Sequence, residues 1–102
     1  MPKHTHQYLI ERAALTALEL FKATADKKAL RIELSCMYDT FFEDNGRPEG
    51  KFHQDNDDFL PVMLFTESKY QLLQEAKKAE YKAKRRHETA IRALAATSKE
   101  AA

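Results

Sequence analysis

Two glycines and three prolines are all that the chain holds in 102 residues, and it has no tryptophan. So few breakers leave little room for turns and point to a helix-rich protein. Cys36 is the only cysteine. An intrachain disulfide is therefore impossible, nothing points to secretion, and a reducing interior fits. The longest apolar run, FLPVMLF at 59–65, is far shorter than the ~20 residues a membrane-spanning helix needs. The N-terminal stretch MPKHTHQYLIERAAL lacks the apolar core of a signal peptide. The expectation is a soluble cytoplasmic protein without membrane contact.

What is present suits one folded domain over 1–98, with 99–102 as a tail that frays. Apolar residues reach 43%, enough for a modest core rather than a disordered chain. The net charge of +1 conceals a sharp asymmetry. Residues 39–58 carry seven acids against Arg47 and Lys51, a net −5. Residues 77–92 carry seven bases against Glu80 and Glu88, a net +5. Segregation of this kind says more about partners than the total does.

Residues 5–25 read as a helix with Thr5 as its N-cap. Ile10, Ala13, Ala14, Ala17, Leu18 and Phe21 recur at three- and four-residue steps and form the expected buried face. Residues 29–42 allow two readings. Leu30, Ile32, Leu34, Cys36 and Tyr38 alternate with more polar residues, as in a strand. As a helix, the same stretch gathers Leu30, Leu34, Met37, Tyr38 and Phe41 on one face. That face would lie roughly 110° from the first helix's stripe, which argues against one continuous helix and places a break in TADKK. The strand is therefore preferred.

Residues 43–58 carry Asn-Gly, Arg-Pro and a second Gly and read as an acidic loop, with Phe52 as its apolar anchor. FLPVMLF follows as a second strand, with Pro61 at an edge or an end. Residues 66–98 are a long helix with Thr66 as N-cap and a Phe65–Tyr70 staple. Its stripe is Leu72, Leu73, Ala76, Ala79, Ala83, His87, Ala90, Ile91 and Leu94. The fold expected is α+β: two alanine-rich helices flanking a small antiparallel hairpin, in the order helix–strand–strand–helix. The alternative is an all-α helical hairpin or bundle.

Two charged surfaces stand out as candidate sites. Lys78, Lys82, Arg85 and Arg92, with Arg86 at the edge, share the helix side away from the alanine stripe. Such a face can track phosphates or an acidic protein surface. It can equally be a solvated face braced by Glu80–Lys84 and Lys84–Glu88 pairs. Glu43, Asp44, Glu49, Asp55, Asp57 and Asp58 form the acidic loop. It can dock on a basic partner or fold back onto the basic helix of its own chain.

Catalytic and metal signatures are weak. DNDD at 55–58 lacks the Gly and Glu of a calcium loop, and His4 and His6 do not share a helix face. His53 with Asp55 and Asp57 is a loose ligand set. Asp39 with Glu49-Gly50-Lys51 has the residue types of a Mg²⁺ nuclease centre, but its second half sits in a turn. Cys36 is expected to be buried and inert, and Ser35 and Ser68 lack a nucleophile context. His87 falls in the alanine seam as a packed side chain.

No metal or cofactor is expected, and no enzymatic activity. The function expected is an intracellular interaction module, an adaptor or inhibitor that binds a larger protein. Small, catalytically blank chains are frequent among phage and mobile-element accessory proteins, and on that base rate alone a phage-type accessory protein acting on a nucleic-acid enzyme is one form the expectation takes. The alternative is direct nucleic-acid binding through the basic face, and a homodimer is a further expectation.

Overall fold

The computed structural model describes residues 5–101. Helix α1 spans His6–Asn45 and helix α2 spans Leu60–Ala101. A loop and one 3-10 turn, Asp57–Phe59, join them. Cross-helix pairs fix the direction: Thr16 meets His87, Lys27 meets Glu80, and Glu33 meets Lys69. One number rises as the other falls, so the helices are antiparallel. The result is a rod of 63 × 23 × 21 Å. Forty helical residues extend about 60 Å, so the helices alone set its length.

The expected α+β architecture is overturned: no strand occurs among the described residues, and both proposed strands are helical. Residues 29–42 belong to α1, which runs through TADKK without a break. FLPVMLF belongs to the 3-10 turn and the first turns of α2, where Pro61 needs no hydrogen-bond partner for its nitrogen. Thr66 is not an N-cap. It lies buried inside α2, and its hydroxyl donates to Val62 O at 2.9 Å. Cys36 is exposed rather than buried, because the helix turns it away from Leu34. Ala102, the end of the tail expected to fray, lies outside the described residues.

Continuity follows from a seam the alternating pattern hides. The inward side of α1 steps through Leu9, Ala13, Thr16, Leu20, Ala23, Lys27, Leu30, Leu34, Met37 and Phe41, all buried or half-buried. These steps of four and three are a coiled-coil repeat. On α2 the same repeat runs through Val62, Thr66, Lys69, Leu73, Ala76, Glu80, Ala83, His87, Ala90 and Leu94. The 110° offset that argued for a break separates Leu30–Phe41 from the Ile10–Phe21 stripe, and that stripe is not the one α1 buries.

Local signals set the ends. The Thr5 hydroxyl accepts from the Tyr8 N–H at 3.1 Å, as an N-cap should. Gly46, at φ 79°, stops α1 and donates its N–H to Phe42 O at 2.7 Å. Asn56 accepts from the Asp58 N–H, and Asp57 and Asp58 then lie at the positive end of α2. Aromatic rings close the loop. Phe59 is fully buried, stacks on Phe52 at 4.8 Å and meets Phe42 edge-on at 6.1 Å. Tyr38 meets Phe52 at 5.1 Å, and the Arg47 guanidinium covers Phe42 at 5.2 Å.

The seam is thin. Its buried apolar residues are Leu9, Ala13, Leu34, Val62, Leu73, Ala83 and Ala90, and three of these seven are alanine. Near the middle the Lys27 Nζ donates to Glu80 Oε1 at 2.7 Å. The Lys27 ammonium, joined by a hydrogen bond from Thr24, holds the Glu80 carboxyl below its ordinary value. A lowered folded-state pKa favours the fold above the unfolded value, and that contribution fades as pH falls through the folded one. Melting temperature should therefore fall with acidification, and Glu80→Gln should melt lower near neutrality while losing part of that acid dependence. Identical pH–melting curves for the two proteins would contradict this. Phe59→Ala should cost about 3–5 kcal/mol in unfolding free energy, since it empties the centre of the aromatic closure; thermal unfolding at neutral pH measures it.

Candidate functional site

The rod carries opposite charge at its two ends. The loop end holds Glu43 and Asp44 in the last turn of α1, Glu49 and Asp55 in the connection, and Asp57 and Asp58 in the 3-10 turn. All six are exposed. From Leu60, where α2 begins, Lys78 lies roughly 27 Å along the axis and Arg92 roughly 48 Å. Charges at such separations are screened, since the Debye length is about 8 Å at physiological salt. The acidic loop therefore does not fold back onto the basic helix of its own chain.

Helical geometry places Lys78, Lys82, Arg85 and Arg92 on the side of α2 away from the seam. All four are exposed. Lys78, Lys82 and Arg92 have no carboxylate within ion-pair distance among the described residues. The Arg85 Nη1 donates to the Tyr81 hydroxyl at 3.3 Å, and its guanidinium carbon lies 5.8 Å from that ring's centroid. Arg86 sits at the edge, with its Nε 3.5 Å from Glu19 on α1. The bracing pairs Glu80–Lys84 and Lys84–Glu88 do not form; Glu80 is taken by Lys27 across the seam. Near the open end, Arg12, Arg85, Arg86 and Tyr8 line a shallow groove of about 320 Å³ between the helices.

A second open surface is apolar. Ile10, Ala14, Ala17, Leu18, Phe21, Ala25 and Ile32 are exposed on α1, and Phe21 keeps 71% of its surface in contact with solvent. Helical geometry sets this stripe roughly 140° from the seam. Sequence reasoning found most of these residues but assigned them to the core. It missed the opposing face, Leu9–Thr16–Leu20–Ala23–Lys27, because a threonine and a lysine interrupt the hydrophobicity. The signal that finds it is register, since only that face stays in phase with Leu30, Leu34, Met37 and Phe41. On α2 the expected stripe splits as well: Leu73, Ala76, Ala83, His87, Ala90 and Leu94 turn inward, while Leu72, Ala79 and Ile91 are exposed. At the loop end Tyr38, Phe52, Met63, Leu64 and Tyr70 line an open apolar groove of about 480 Å³.

The candidate metal and catalytic sets do not assemble as the sequence arranges them. The His53 Nδ1 accepts from the Asp55 N–H at 3.1 Å, and no group of three His, Cys, Asp or Glu side chains that could hold a metal occurs among the described residues. His4 lies outside the described residues, and His6 opens α1. Asp39 stands on α1 and Glu49-Gly50-Lys51 in the loop, not on neighbouring strands. His87 is half-buried in the seam, its Nδ1 3.0 Å from the Thr16 hydroxyl. No helix among the described residues is long and apolar enough to cross a membrane.

No protein-family model, curated protein or solved structure matches this chain.

Proposed function

We propose that the chain is a non-enzymatic interaction module, an adaptor or inhibitor that binds an acidic patch on a larger protein through the outer face of α2. The observation that carries this reading is the row Lys78, Lys82, Arg85 and Arg92, exposed on one uninterrupted helix with its own acidic loop out of reach. Cations spaced at four, three and seven residues along one side present charge over roughly 21 Å. Tyr81 lies beside them and orients Arg85, which limits the side-chain entropy that binding must remove.

The balance of charge favours protein over nucleic acid. Domains that bind long polyanions are commonly strongly basic, with pI above about 9. This chain has a pI near 7.9, and its loop end is acidic. A long polyanion would be attracted at one end of the rod and repelled at the other, whereas a local acidic patch meets only the basic segment. Nucleic-acid binding remains the second reading, favoured by the unpaired cations beside an aromatic ring.

Lys82→Glu/Arg85→Glu reverses the centre of the face without touching the seam. Helical circular dichroism should be unchanged. In nuclease-treated host extract the wild type should retain a protein partner that the double variant loses by tenfold or more. If the wild type instead shifts DNA or RNA in a mobility assay, with steep salt dependence that the variant abolishes, the second reading replaces the first.

A further inference from the structure

The uncovered α1 stripe has an internal symmetry that identifies its occupant. Ile10, Ala17, Phe21, Ala25 and Ile32 share one exposed side of the helix. Counted outward from Phe21, alanine stands four residues away in both directions and isoleucine eleven residues away in both directions. A two-fold axis perpendicular to an α-helix through Phe21 would bring Ala17 of one copy opposite Ala25 of the other, and Ile10 opposite Ile32. That is the self-complementary pattern of an isologous contact. The small alanines allow the two backbones to approach, while the aromatic rings meet at the axis. Lys28, the one charge within the stripe, falls opposite Ala14, and its aliphatic stem can lie over it with the ammonium in water.

We propose that this stripe pairs with the same stripe of a second copy, antiparallel and centred on Phe21, so that the two α1 helices lie side by side between the two α2 helices.

Two further observations point the same way. The chain exposes 8010 Å², whereas a compact monomer of its mass would expose roughly 5,900 Å². The excess of roughly 2,100 Å² exceeds twice the ~800 Å² that each partner contributes to a standard interface. The direction follows from charge. Parallel rods would set two acidic loops side by side and two basic segments side by side. Antiparallel rods send the acidic loops to opposite ends. The pairing uses α1 and leaves the outer face of α2 free, so it stands independently of the proposed partner.

Sedimentation equilibrium of the full chain at micromolar concentration should give twice the 11.8 kDa chain mass. A single 11.8 kDa species would overturn the proposal. Register is tested by single cysteines in a Cys36→Ser background with a short bismaleimide crosslinker. Phe21→Cys should crosslink to itself and Ile10→Cys should not. An equilibrated mixture of Ala17→Cys and Ala25→Cys, which keeps Phe21 in place, should crosslink at several times the yield of either alone. Efficient self-crosslinking of Ile10→Cys would overturn the antiparallel register. Phe21→Asp should shift the mass toward the monomer, whereas Lys82→Glu/Arg85→Glu should remain dimeric.

Discussion

Two helices joined as a hairpin share one seam, and each can bury only one side in it. The rest of this structure depends on that constraint. A larger bundle could cover several faces of α1, but among the described residues α2 is the one long helix that packs against it. The seam is narrow, rich in alanine and crossed by polar pairs. Polar groups placed at such positions lower stability relative to apolar ones, yet they set register in coiled coils. Here Lys27 meets Glu80 and Thr16 meets His87, so sliding α2 by one heptad would separate two polar pairs at once. The aromatic closure at the loop end fixes the same register, because Phe59 packs against Phe42 only when α2 starts where it does.

The same constraint produces the exposed surfaces. A seam that accepts one stripe leaves the Ile10–Ile32 side of α1 open, and it leaves the bases of α2 pointing outward. The length of the helices then holds the acidic loop and the basic segment apart. A globular fold of this composition would let them neutralise each other, and the rod does not. What could have been an internal ion-pair network becomes a basic segment and an acidic tip, both exposed to solvent.

Both helices were legible in part in the sequence, whereas both expected strands were wrong. The Thr5 cap, the acidic loop with its Phe52 anchor, and the inward face of α2 around Leu73, Ala83 and Ala90 follow from periodicity and turn chemistry. Residues 29–42 did not, because Leu30, Ile32, Leu34, Cys36 and Tyr38 satisfy a two-residue period while Leu30, Leu34, Met37 and Phe41 satisfy a helical one. Local pattern could not separate them. Thr66 misled in a similar way: a hydroxyl before Glu67 has the form of a cap, but a buried threonine can bond to the carbonyl one turn back within a helix.

By itself the sequence determined a chain with long helices, opposite charges in separate segments, and bases set apart from alanines on the second helix. These properties belong to composition and to the position of side chains around a single helix axis. Only the tertiary structure decided which of α1's two stripes is buried. That choice depends on the partner helix, since Thr16 and Lys27 belong in a seam only when His87 and Glu80 stand opposite them. It also decided that the acidic loop and the basic segment are held apart, because an unbroken α1 makes the hairpin a rod.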